Sequence, residues 1–144
     1  AEPGLIGVWP NGPNCNSGNQ GSLEQYASIG AIKRTTGFEP LELFTQAQNG
    51  SKYALDCWEE YGKNLGIGIS SLIYLLTPDL ILFGGGIAAA AKYFLPSVQR
   101  EIENRVNSLS REGLIIRTCE LKNGAGRLGA ALTAIKRFSG SSSL

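Results

Sequence analysis

The sequence predicts a layered α/β domain, and three observations carry that prediction. First, Leu80-Ile81-Leu82-Phe83 is a run of four apolar residues with Pro78-Asp79 before it and Gly84-Gly85-Gly86 after it. A short apolar run between turn residues reads as a strand buried on both faces. Second, Leu114-Ile115-Ile116-Arg117-Thr118-Cys119 is another run, rich in β-branched residues that suit a pleated surface. Third, a helical pattern separates the two, and strand, helix, strand in that order implies a parallel pair joined by a right-handed crossover.

The chain is organised around the segment from Thr77 to Ile87. Three glycines remove every Cβ where the backbone leaves the first strand, so a flat or charged ligand can lie against the main chain. Spacing alone supports two readings equally, a nucleotide-binding turn and a flexible connection that binds nothing. The run lacks the Gly-Lys-Ser/Thr ending of a phosphate loop, because Ile87 and four alanines follow. It also departs from the Gly-x-Gly-x-x-Gly dinucleotide pattern. Of the nucleotide readings, a backbone-lined adenosine pocket fits better than a phosphate cradle.

Taken in order, residues 1–22 are crowded with glycine, proline and asparagine and read as a loop-rich arm carrying one short strand, Leu5 to Trp9. A domain that opens on some 20 irregular residues is unusual, and the expectation is a chain that begins mid-domain. Residues 23–138 form the main lobe. Ser22, with Gln25 three residues on, fits a capping box for a helix over 23–35, in which Leu23, Tyr26, Ala27, Ile29 and Ile32 recur at helical spacing. Gly37 stops that helix, and Glu39-Pro40 opens a short one, Leu41 to Gln48.

A long helix is predicted from Lys52 to Leu76, ended by Pro78. Its first half is amphipathic through Tyr53, Cys57, Trp58, Tyr61 and Leu65. The second, Ile67 to Leu76, is apolar almost all round and so belongs inside. Gly62, Gly66 and Ser70 place small side chains four apart on one face, with Gly68 as a further notch, so a sheet or helix should press against it. After the glycine triplet comes a small-residue segment, Ala88 to Ala91, and a helix to about Leu109 with Pro96 in or near its first turn. Arg100, Glu101, Glu103 and Arg105 read as a solvated mixed-charge face. Lys122 to Gly126 is a tight turn, Leu128 to Phe138 a small-faced helix, and 139–144 a flexible Ser-rich tail.

Composition narrows the function. At 144 residues the chain has the length of one domain with one core. Its net charge of +1, from 13 basic and 12 acidic residues, offers no field to gather nucleic acid or an anionic membrane. No run approaches the ~20 apolar residues of a membrane span, and Ala1-Glu2-Pro3-Gly4 does not open a signal peptide, so a soluble, cytoplasmic protein is expected. Cys15, Cys57 and Cys119 are an odd number at wide spacings, expected as free thiols. There is no histidine, so acid–base chemistry would fall to carboxylates.

Four stretches together resemble one family, the ROK proteins: bacterial sugar kinases and sugar-responsive repressors of the actin-like ATPase, or ribonuclease-H-like, superfamily. The family pattern Cys-x-Cys-Gly-x-x-Gly-Cys-x-Glu is matched at Cys15, Gly18, Gly21 and Glu24, while Ser17 and Ser22 stand where the family has cysteines. Glu2-Pro3-Gly4-Leu5 is similar to the upstream Glu-x-Gly-His, with leucine in place of histidine. Leu65 to Gly86 resembles the family's long helix, Asn-Pro-Glu turn and triple-glycine strand. Asn123-Gly124-Ala125-Gly126-Arg127-Leu128-Gly129-Ala130-Ala131 is similar to its closing Ala-Gly-x-x-Gly-Ala-Ala segment. The resemblance spans about residues 1–137.

It implies a partial ribonuclease-H-like C-terminal lobe, with a short, mostly parallel sheet packed by several helices. It further implies a glucokinase-like enzyme that uses ATP with Mg²⁺ to phosphorylate a hexose. Glu2 and Glu24 would accept hydrogen bonds from sugar hydroxyls, and Gly84, Gly85, Gly86 and Ile87 would wall the adenosine pocket. The family's structural zinc is not expected, since Leu5, Ser17 and Ser22 leave Cys15 as the one remaining ligand of four. Packing around Leu5 and turn hydrogen bonds from Ser17 and Ser22 would replace it.

The phosphate loops and catalytic aspartate of the family kinases have no counterpart in these residues. The chain alone is therefore expected to be inactive, with no catalytic residue of its own, and to associate with a missing N-terminal lobe or with another copy. The effector domain of a sugar-sensing repressor is the second reading, and a stand-alone ligand-binding or assembly module the third.

Overall fold

The computed structural model describes residues 2–119 and 124–139. Helices α1 (Ile29–Thr36) and α2 (Pro40–Gln48) lead into the long α3 (Lys52–Leu76). Strand β1 (Leu80–Phe83), helix α4 (Ala91–Arg105), strand β2 (Ile115–Thr118) and helix α5 (Ala125–Ser139) follow. The strands pair in parallel, Leu80 opposite Ile115 and Phe83 opposite Thr118.

Local signals explain α3. The Ser51 hydroxyl accepts from Ala54 N, and the chain leaves the helix at Thr77 just ahead of Pro78, which disfavours helix in the residue before it. The glycine face is pressed against α4, as the small-residue spacing predicts. A Cβ at Gly66 would come within 2.7 Å of the Glu101 Cβ and 3.0 Å of the Val98 carbonyl, and one at Gly62 would strike the Phe94 carbonyl. Gly68 is the notch for Leu23, whose side chain fills the space a Cβ would need.

The core gathers where α3, α4 and the sheet meet. Trp58, Phe94, Ile73 and Val98 are fully buried, and Phe94 lies 5.3 Å from the ring of Tyr61 and 5.8 Å from that of Phe83. Each such side chain contributes about 1.5–3 kcal/mol by leaving water, which is what holds β1 to the helices.

Several expectations are corrected. β1 is not buried on both faces: Ile81 and Phe83 pack on the core, whereas Leu80 and Leu82 face solvent. The described sheet has two strands, so nothing among the described residues covers its second face. The helix expected over 23–35 is a 3₁₀ turn, Leu23–Gln25, followed by α1, whose cap is Ser28 accepting from Ala31 N at 3.0 Å. The Ser22 side chain makes no cap bond, and among the described residues its buried hydroxyl has no hydrogen-bond partner.

The strand expected at Leu5 to Trp9 reduces to a single antiparallel bridge, Gly7 to Ser22. The end of α3 is exposed at Tyr74, Leu75 and Leu76, although Ile73 just before them is fully buried. α4 stops at Arg105 rather than near Leu109 and holds Pro96 inside rather than in its first turn. Glu101 is buried against Gly66 and paired with Arg105 at 2.7 Å, so it does not belong to the solvated face. α5 begins at Ala125, three residues before the expected Leu128. The turn expected at 122–126 lies partly outside the described residues, as does the tail expected over 139–144 except for Ser139, which ends α5.

Candidate functional site

β1 delivers the backbone to Gly84, and Gly85 turns it out of the sheet with φ 78°, a left-handed conformation that glycine adopts without cost. Gly86 and Ile87 open a 3₁₀ helix, Gly86–Ala90, that leads into α4. Among the described residues, a Cβ at Gly85 would meet nothing within 4 Å, and one at Gly84 only the Cys119 Cβ at 3.7 Å. No described side chain therefore walls in these glycines.

Two hollows border this turn. One, of about 460 Å³, has Pro40, Leu41 and Phe44 of α2 on one side and Gly86, Ile87, Ala89 and Ala90 on the other, with Ile29 and Glu39 at its edge. The second, of about 440 Å³, runs from Phe44 past Gly85, Gly86 and Ala88 to Thr118 and Cys119. Phe44 and Gly86 line both, so the hollows meet across them. Both volumes fall in the range of about 300–1,000 Å³ typical of small-molecule pockets, and an aromatic ring opposite bare backbone suits a flat ligand. At the rim, Glu39 is held by Lys33 at 2.5 Å.

The sequence reading missed the α2 wall. Its signal was present in Leu41 and Phe44, an apolar pair three apart at the start of a helix, of which Leu41 is left 73% exposed.

Glu2 and Glu24 lie elsewhere, Glu2 in the N-terminal arm and Glu24 in the turn that follows it. The 3₁₀ turns Pro3–Leu5 and Leu23–Gln25 pack together, placing Glu24 beside Gly4, while Glu2 is exposed. Neither carboxylate lines the hollows at the glycine turn. The structure thus brings Gly85, Gly86 and Ile87 together on one cleft and keeps the two carboxylates apart from it.

The arm is a closed loop. Cys15 N donates to Asn19 O at 2.8 Å, Gly21 N to Pro13 O at 2.9 Å and Leu23 N to Ile6 O at 2.8 Å. The Cys15 thiol donates to Glu24 Oε1 at 3.0 Å, and the Trp9 indole to Asn64 Oδ1 on α3 at 2.9 Å. Of the hydroxyl bonds expected to replace a metal, that of Ser17 is a long 3.4 Å contact from Asn19 N and that of Ser22 is not formed. The residues here do not fit zinc. Leu5, Ser17 and Ser22 supply no thiolate or imidazole, and among the described residues no three His, Cys, Asp or Glu side chains gather to hold an ion. The three cysteines are free. No helix among the described residues is long and apolar enough to cross a membrane.

The described residues thus form a partial α/β lobe in which β1 ends in bare backbone beside an apolar cleft, with the two carboxylates set apart from it. The chain belongs to the ROK family, whose pattern matches residues 1–137. It is 27% identical over 160 residues to a glucokinase of Thermotoga maritima, covering 97% of this chain and 50% of that protein. It is also 26% identical to the xylose repressor of Bacillus subtilis, covering 95% of this chain and 37% of that one. Its fold matches a ROK family glucokinase from Streptomyces griseus, crystallised with glucose and AMPPNP, at a TM-score of 0.79 and 26% identity, over 91% of this chain and 50% of that one. The chain thus spans half or less of the length of these relatives.

Proposed function

We propose that this chain is the C-terminal part of an ATP-dependent sugar kinase, glucokinase-like, acting in the cytoplasm. Gly84 to Ile87 form one wall of the adenosine pocket, and Glu2 and Glu24 contribute to the sugar site. The complete enzyme transfers the γ-phosphoryl group of ATP to a hexose hydroxyl, a reaction that depends on positioning and on charge stabilisation by Mg²⁺. The catalytic aspartate and phosphate loops come from the rest of the enzyme, so this chain binds without turnover.

The observation that carries the reading is the open cleft between Phe44 and the bare backbone at Gly85 and Gly86. Adenine stacks on the ring while ribose lies along main chain that no Cβ obstructs. A second reading, the effector domain of a sugar-responsive repressor, is favoured by the similarity to the xylose repressor. Such a domain needs the sugar carboxylates and not the nucleotide cleft.

Calorimetric titration with AMPPNP and with glucose separates the two. The kinase reading expects saturable nucleotide binding that Gly85→Val weakens at least tenfold, since a β-branched residue resists a left-handed backbone. Glucose binding with no response to nucleotide would leave the repressor.

A further inference from the structure

We propose that Cys15 is a positioning residue for Glu24, part of a metal-free clasp that holds the arm at the place where the family resemblance implies zinc. The proposal rests on the reading of Glu24 as a sugar contact. Both ends of the Cys15–Glu24 bond are fixed by independent means. Cys15 is 7% exposed, and its backbone is pinned on both sides, its N–H donating to Asn19 O and its carbonyl accepting from Gly18 N at 3.0 Å. Glu24 is carried by a 3₁₀ turn whose Leu23 is buried in the notch over Gly68 of α3.

Between them the thiol donates to Oε1, which sets the plane of the carboxylate and leaves Oε2 to accept from a hydroxyl ligand. A sulfur that donates its proton in this way is a thiol, whereas a metal ligand must be a thiolate. The hydrogen bond and a zinc site are therefore alternatives at this residue.

The second half of the clasp ties the arm to the core. Trp9 donates to Asn64, whose own amide donates to the Glu60 carbonyl at 2.9 Å one turn back along α3. Asn64 is buried, so its orientation is set by the helix and not by the arm. Together these contacts fix the arm at two points without an ion.

The test combines the infrared S–H stretch with hexose titration of the chain. The Cys15 band, assigned by its loss in Cys15→Ser, is expected to move to higher frequency in Glu24→Gln as the acceptor loses its charge. Cys15→Ala is expected to weaken glucose binding about fivefold, with Cys15→Ser restoring most of it because a hydroxyl still donates. A chelator is expected to change neither. A Cys15 band that ignores Glu24→Gln, an affinity unchanged in Cys15→Ala, or one zinc per purified chain would overturn the proposal. The band is read without sugar. If no hexose binds, the sugar reading of Glu24 fails and the infrared result still decides the contact.

Discussion

Tyr61 sits on the buried face of the first half of α3, its ring 5.7 Å from that of Trp58 and 5.3 Å from that of Phe94. Burial penalises the phenolate and pushes the Tyr61 phenol up to about 12. In the unfolded chain the same group titrates near 10. Between those values the native state holds a proton that the unfolded state has lost. Stability is thus fully present below about pH 10 and falls until about pH 12, by some 2–3 kcal/mol. Urea unfolding across that window should show the fall, and Tyr61→Phe should flatten it. If the variant falls as steeply as the parent, the phenol is not excluded from water. This environment was legible from the sequence, where Tyr61 lies one turn from Trp58 on the apolar stripe. The Cys15–Glu24 bond was not, because nothing in a loop of glycine and asparagine fixes which side chains meet.

At the scale of elements, the contact between α3 and α4 depends on absent side chains. Gly66→Ala puts a methyl group against the Val98 carbonyl and the Glu101 Cβ, neither of them a flexible chain end. It is expected to destabilise by about 1–3 kcal/mol despite alanine's better helix propensity. A gain in the urea midpoint would mean that the helices are less closely packed. The end of α3 offers the opposite case, since Thr77 holds φ 41°, a left-handed value costly for a β-branched residue. Thr77→Gly should stabilise by about 1 kcal/mol, read as a raised melting temperature. α3 was predicted to the residue because Ser51 and Pro78 mark both ends and the glycine spacing marks its packed face. α1 was placed six residues early because Ser22 and Gln25 imitate a capping box while Ser28 caps the helix. Local chemistry alone does not choose between two serines. The deep burial of Ser22, set by the arm folding over it, does.

For the whole molecule, the sheet has one finished face and one bare one. Leu80, Leu82 and Ile115 are exposed on β1 and β2, and a shallow hollow of about 450 Å³ lies among them. Apolar side chains on an uncovered sheet face invite association. We propose that the N-terminal lobe expected from the sequence, or a second copy, covers them. The chain alone is expected to sediment above its monomer mass of 15.3 kDa, and Leu80→Lys with Leu82→Lys to return it toward that mass. A wild-type chain that stays monomeric at high concentration would count against the proposal. This face was misread because four apolar residues in a row indicate burial without saying whether the covering elements belong to the same stretch of sequence. The glycine turn needed no such partner and was readable as it stands.

The chain's two tryptophans stand at the opposite limits of accessibility, Trp58 fully enclosed and Trp9 41% exposed at the end of its bond to Asn64. Iodide should therefore quench the emission of Trp9 and spare that of Trp58. The protein carries its own optical gauge of whether the arm is seated, with no label to attach.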